Sequence, residues 1–285
     1  MQPVLSDAVP CFKALVTIHK LLVNGPHVVL SEACNEVSFL EQCARIHGSQ
    51  NGAFSTSYGY GPLISSYVSF LLTKIDFHRT HPEFTGNFDY EEYLSIRGVQ
   101  DLDEGYKTID EMMELQERLD QFQKSVFENF GAVSGSVECR ISAFVPLIDE
   151  SYGMYKFVTS MLSAMHLSVE SPDPLILLVE RYNNIFSSLK EFYEECSKIR
   201  YLTSLVAIPK LPDRAPQFSE DALKRFTGSQ AFHKPTPSSS GGSGEGSNRN
   251  NSNNGNGGGQ TTVVVQIPVQ PQPQPQAPPQ QQQQM

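Results

Sequence analysis

Runs of apolar residues at helical spacing, each bounded by Gly or Pro, constrain this chain more than any other feature. The clearest run is Glu104–Phe130, where Ile109, Met112, Leu115, Leu119, Phe122, Val126 and Phe130 fall close to heptad spacing and Asp103 can cap the start. Upstream, Ser6 or Asp7 can cap a helix that continues through Asn24 and stops at Gly25. Pro26 suits a first helical turn, and Val28–Ile46 reads as two short helices or one bent one. After a Gly/Ser loop at Ser49–Gly61, Pro62 opens a helix to about Arg79 with Leu63, Tyr67, Phe70, Leu71 and Lys74 on one side, and Pro82 ends it. Residues 82–104 form a connection with a short helical piece at Tyr90–Ile96. Gly131–Ser136 is a turn. Glu138–His166 forms a helix that Pro146 should kink, and Ser171–Pro174 opens a last helix to about Val206. Residues 1–216 contain no convincing strand pattern, so the expected fold is all-α, a bundle or right-handed superhelix.

Composition changes sharply near residue 216, which divides the chain into a folded domain (1–216) and a tail (217–285). The tail is Gly/Ser/Asn-rich and then Gln/Pro-rich, too poor in apolar side chains to offset the entropy of ordering, so it is expected to be a disordered linker. Asp221–Phe226 is a candidate transient helix, and Thr261–Val269 is a β-prone island, read as disordered or as a short partner-binding strand. The formal net charge is −10; the last 69 residues hold three acids and four bases, which leaves 28 acids and 17 bases in residues 1–216. That balance argues against a nucleic-acid role. Five dispersed cysteines without a CxxC pair suggest reduced thiols, and no apolar run approaches the roughly 18 residues of a membrane span.

Each candidate for chemistry has a bland reading. Asp76, His78 and His81 could be mistaken for a metal cluster, but they close a helix where His and Arg cations offset the macrodipole. His19 and His166 lie in apolar stretches and read as core or boundary residues. No motif pairs Cys11 or Cys139 with a histidine as a dyad. Glu91-Glu92 and Glu194-Glu195 are sequence neighbours that diverge on a helix. Gly59-Tyr60-Gly61 lacks the third glycine of a phosphate loop. Two stretches that mimic a clathrin box, Leu147–Glu150 and Leu175–Glu180, fall on expected helices and read as core. No catalytic, cofactor-binding or metal-binding residue is assigned, no cofactor is expected, and the chain is read as a non-enzyme.

Phe12–Gly25 (FKALVTIHKLLVNG) resembles a helix of ANTH domains of clathrin-assembly proteins. DFHRTHP at Asp76–Pro82, GNFDYEEYLSI at Gly86–Ile96, DEGYKTIDEMMELQERLDQF at Asp103–Phe122, ECRISAFVPLIDESYGMYKFVTSMLSAMH at Glu138–His166 and YLTSLVAIPKLP at Tyr201–Pro212 narrow this. Together they resemble the branch formed by the huntingtin-interacting proteins and their fungal actin-patch counterparts. The resemblance spans roughly residues 6–213 and implies an all-α superhelix and an endocytic adaptor. It implies binding of phosphatidylinositol 4,5-bisphosphate at the plasma membrane and partnership with epsin-type ENTH domains, clathrin and actin at cortical patches; an interaction module without membrane contact is the alternative.

By the same resemblance, the family's lipid site is a Lys, Arg and His cluster in helices that precede Met1, so residues 1–216 read as a partial ANTH domain lacking its first helices. Residues 1–44 offer only Lys13 and Lys20 as Lys or Arg, and no lipid-binding residue is carried over. The apolar face of Phe12–Val23 should then be uncovered and lipid-specific binding should be absent; salt-sensitive, lipid-specific binding would instead point to a second basic surface around Lys74, Arg79 and Arg97.

Overall fold

The computed structural model describes residues 3–48, 59–89, 101–129, 137–169 and 173–218, all helix or connection with no strand among them. The sequence readings at Ser49–Tyr58, Tyr90–Ile96, Glu91-Glu92, Arg97, Phe130, Gly131–Ser136, Ser171-Pro172, Asp221–Phe226 and Thr261–Val269 lie outside these residues.

A short α1 (Pro3–Ser6) leads into α2 (Ala8–Asn24), where the Asp7 carboxylate accepts from the Val9 amide at 2.9 Å. The two short helices after Pro26 are α3 (His27–Ala33) and α4 (Val37–His47). The central element is α5 (Tyr60–Thr80), which packs against α2, α3, α4 and α6. Its buried positions extend around the helix (Leu63, Ile64, Tyr67, Val68, Phe70, Leu71, Lys74, Ile75), as such a surrounded helix requires.

Helix α6 spans Leu102–Glu128, and its cap lies two residues earlier than expected. The extended residue is Asp101, whose carboxylate accepts from the amides of Asp103 and Glu104, both at 3.1 Å. Five of the seven stripe residues are fully buried or nearly so (Ile109, Met112, Leu115, Phe122, Val126), and Leu119 joins them. The Phe122 ring stacks on Tyr67 of α5 at 4.1 Å.

The expected kink at Pro146 is a full break. Helix α7 (Val137–Ile141) ends, Ser142 and Ala143 turn, and α8 runs from Phe144 to Ser168. In a continuous helix Pro146 would lack the amide that bonds to the Ser142 carbonyl, and its ring would strike that carbonyl. At the third position of a new helix, where amides have no intrahelical partner, both problems vanish. Helix α9 (Ile176–Ser197) likewise stops short of Val206, because Ile199 is extended before the single turn α10 (Arg200–Thr203).

The chain then runs back along α9. Lys190 donates to the Asp213 carbonyl at 3.0 Å, and Phe218 is buried against His166 and Tyr182 with ring centroids 5.5 and 5.2 Å away. Packing therefore continues two residues past the expected boundary at 216. The apolar face of α2 is not uncovered either: Phe12, Leu15, Val16, Leu22 and Val23 are buried beneath α1, α3, α4, α5 and α8, and Leu21 is the large apolar residue of α2 left exposed.

Residues 82–89 are wedged into this stack. A Cβ on Gly86 would collide with the Leu22 carbonyl of α2, and one on Gly153 of α8 would collide with the Phe88 carbonyl. Phe88 itself adopts a positive φ of 53°, at a cost of about 1–3 kcal/mol that the surrounding packing must offset. Gly153→Ala should therefore displace the segment and destabilise the domain by about 1–3 kcal/mol. That corresponds to a drop in thermal midpoint of roughly 2–10 °C, checked by circular dichroism melting.

Candidate functional site

The most concentrated polar chemistry lies inside the stack, where α2, α5 and α8 each contribute. Lys74 donates to the Glu150 carboxylate and to the Gly86 carbonyl, both at 2.5 Å. His19 Nε2 lies 2.7 Å from Glu150 Oε1, and its Nδ1 lies 2.9 Å from the Tyr67 hydroxyl. Lys74, Glu150 and His19 have no exposed side-chain surface. Burial holds the His19 imidazole below its ordinary range, against the pull of Glu150. Burial alone would raise Glu150, but Lys74 and His19 hold it below the usual carboxylate range. One assignment satisfies every group: Lys74 charged, Glu150 ionised, and neutral His19 donating from Nε2 to Glu150 while Tyr67 donates to Nδ1. Sealed from solvent, this cluster cannot meet a substrate. It is a polar core that ties three helices and the 82–89 segment together.

The end of α5 differs from its sequence reading. His78 is 5% exposed, stacks on Phe88 at 4.9 Å and has no hydrogen bond at either ring nitrogen. The Phe84 carbonyl favours the charged ring but not at hydrogen-bonding geometry. Burial, with help from Lys74, His27 and His81, pushes the imidazole down to about 2. His78 is thus neutral and does not offset the macrodipole. That role falls to Arg79, which is held by Asp76 at 2.7 Å and donates to the Cys34 carbonyl at 3.2 Å. His81 instead bonds Glu111 of α6 at 2.6 Å. Among the described residues no three His, Cys, Asp or Glu side chains are grouped to hold a metal. With Lys74 buried and Arg79 engaged by Asp76, the described members of the alternative basic surface around Lys74, Arg79 and Arg97 do not assemble one.

The remaining candidates take ordinary places. His166 Nδ1 meets the Leu162 carbonyl at 2.9 Å. Cys11 lies beside Cys43, and burial foremost pushes its thiol up to about 12, which removes it as a nucleophile. Cys139 neighbours Tyr60. Gly59 caps α5 in an extended conformation. Glu194 and Glu195 are exposed on α9, and Glu195 holds Lys198 at 2.5 Å. Of the two stretches that mimic a clathrin box, Leu147 and Ile148 are core as expected, but Ile176 and Leu177 are 55% and 71% exposed.

The outer surface is laced with ion pairs. Arg181 of α9 forks onto Glu117 of α6 (2.6 and 2.9 Å) and reaches Asp110 at 2.6 Å. Lys107 pairs with Glu111, Arg118 with Glu114, and Lys124 with Asp120. Lys13 and Lys20 are exposed on α2. Below the Arg181 fork, α6 and α9 part to leave a seam floored by Leu119, Leu189 and Phe192, with Ser151 of α8 beneath. Sequence reading missed this seam. Its one signal was that Gln116 and Gln123 interrupt the buried side of α6.

As the unfolded chain protonates His19 and His78 near the ordinary imidazole value while the folded chain does not, stability must fall as pH drops below about 6.5. Each buried neutral histidine adds up to about 1.4 kcal/mol per pH unit. Urea melts between neutral pH and the onset of carboxylate titration should show this slope, and His78→Phe should remove about one proton's share.

The ANTH domain family matches residues 2–223. The chain is 45% identical over 221 residues to endocytosis protein end4 of Schizosaccharomyces pombe, covering 78% of this chain and 20% of that protein. It is 44% identical over 218 residues to protein SLA2 of Saccharomyces cerevisiae (75% and 22% covered), and 29% identical over 223 residues to human huntingtin-interacting protein 1 (76% and 21%). It therefore spans about a fifth of the length of these curated relatives. Among solved structures it resembles a chain from the ENTH domain of epsin-2 in complex with phosphatidylinositol 4,5-bisphosphate, at TM-score 0.68 and 50% identity over 74% of this chain and 80% of that one. It also resembles a chain from helical ANTH and ENTH tubules on membranes containing that lipid, at TM-score 0.57 and 43% identity, with 74% and 77% covered. The all-α stack and this match over most of its length lead to one conclusion: the chain belongs to the ANTH domain family, alongside the domains of end4, SLA2 and huntingtin-interacting protein 1.

Proposed function

We propose that this domain is an adaptor of clathrin-mediated endocytosis. It works peripherally at plasma-membrane sites rich in phosphatidylinositol 4,5-bisphosphate, beside ENTH-domain partners, in a longer protein that connects the coat to cortical actin. The observation that carries this reading is the match of residues 2–223 to the ANTH family, at 45% identity to an endocytosis protein. Solved relatives assembled with ENTH domains on lipid support the partner and the membrane. Among the described residues no helix is long and apolar enough to cross a membrane, which fits peripheral attachment.

The described residues serve chiefly as a partner-facing stack rather than as the holder of a lipid headgroup. Headgroup recognition needs several convergent cations, each adding about 1 kcal/mol at an anionic surface. Here Arg79, Lys107, Arg118, Lys124 and Arg181 are engaged by carboxylates. Those engagements also favour the second reading, a helical protein-interaction module that binds partners without membrane contact.

Co-sedimentation with liposomes separates the two. This chain alone should not distinguish liposomes with and without phosphatidylinositol 4,5-bisphosphate. Adding an epsin-type ENTH domain should recruit it to lipid-containing liposomes in a salt-sensitive way. Lipid-specific pelleting of the chain alone would overturn this reading of the described residues. Binding of the ENTH domain equally well with and without liposomes would favour the second reading.

A further inference from the structure

Helices α6 and α9 run in the same direction. Asp110 and Glu117 meet Arg181 at one end, Gln123 faces Phe192 further along, and Glu128 lies beside Glu195 at the other. Two helix C-termini therefore converge, each equivalent to roughly half a negative charge. The usual remedy is a cation in the last turn, and neither helix has one. The last turns carry Glu128, Glu194 and Glu195 instead, with Glu191 just before. Lys198 and Lys124 are drawn to Glu195 and Asp120, and Arg140 bonds the Asn129 carbonyl from the buried side at 3.0 Å. Among the described residues Glu128 and Glu191 make no ion pair, and both are exposed.

Between these carboxylates the surface is concave. A cavity of about 280 Å³ is lined by Phe127 and Phe192 beneath Lys124, Glu128, Glu191 and Glu195. Gln123 and Phe192 also line a second cavity of about 110 Å³, so the two adjoin along the α6–α9 groove. In that second cavity sits Gln116, 5% exposed, its amide hydrogen-bonded to no described residue. Its amide is not among the buried polar atoms left without a partner, so it keeps some accessible surface in the cavity and is open to a ligand that hydrogen-bonds.

We propose that the α6–α9 groove docks a basic segment of a protein partner. The partner's backbone meets the Gln116 amide, and a Lys or Arg side chain lies over Phe127 and Phe192 between Glu128, Glu191 and Glu195. Gln116 and Glu128 are twelve positions apart, about 18 Å along a helix, which an extended segment of about six residues spans. Aromatic faces and carboxylates together suit a cation better than either alone.

The probe is a short synthetic peptide carrying Arg and Leu, compared with its Glu-substituted counterpart, titrated into the full chain by fluorescence anisotropy at low and raised salt. The Arg peptide should bind, weaken with salt, and exceed the Glu peptide by about tenfold or more. Glu128→Lys with Glu191→Lys should remove that preference, whereas Glu36→Lys, just before α4, with Glu41→Lys on it should not. Gln116→Leu, which leaves net charge unchanged, should weaken binding several-fold. Thermal melts of each variant confirm folding. Equal losses from the two charge reversals would mean non-specific attraction to an acidic protein and would overturn the proposal. So would no binding of the Arg peptide, or groove protection that grows with protein concentration and marks a second copy as the occupant.

Discussion

A single buried ion pair holds the stack to its shape. Lys74 and Glu150 are fully enclosed, and each has a second obligation: Lys74 to the Gly86 carbonyl, Glu150 to His19. Removing either partner would strand a charge away from water, which costs about 3–5 kcal/mol. The pair thereby fixes the register of α5 against α8 and brings α2 along through His19 and Tyr67. It also draws the 82–89 segment inward, to where Gly86 and Gly153 permit the close approach and Phe88 accepts its unfavourable backbone. A core of apolar residues alone could slide; a lysine with one carboxylate and one carbonyl within reach cannot.

That interior order leaves function to the outside. No metal cluster is assembled among the described residues, and the groups with the strongest chemistry are sealed. What the surface offers is shape and charge on rigid helices: an acidic stack with many of its cations engaged by carboxylates, and one seam where two helix ends leave part of their negative charge unpaired. Such a surface suits an adaptor, whose task is to hold partners at fixed positions.

Much of this was legible in the residues. Gly and Pro placed the helix ends, Asp7 capped α2 as its position suggested, and the α6 stripe from Ile109 to Val126 faces the core. Local competition accounts for the errors. Asp101 took the cap from Asp103 because it sits where the backbone is extended, and Pro146 stopped a helix it was expected only to bend. The burial of Lys74 was half visible, since its spacing from Tyr67, Phe70 and Leu71 places it on the apolar side of α5. Its partner lies 76 positions away, and no periodicity links them. The α6–α9 seam was barely legible, hinted at by Gln116 and Gln123 alone, because a gap between two helices belongs to neither sequence alone. The resemblance to ANTH domains supplied the family, which spacing and composition could not.

The central claim is that Lys74 and Glu150 act as one unit. Urea unfolding of Lys74→Met, Glu150→Leu and the double variant measures their coupling directly. Each single change should cost about 3–5 kcal/mol, and the double variant should be more stable than either single, because no uncompensated charge remains. Additive losses, with the double variant the least stable of the three, would mean the two residues contribute independently and would contradict the account.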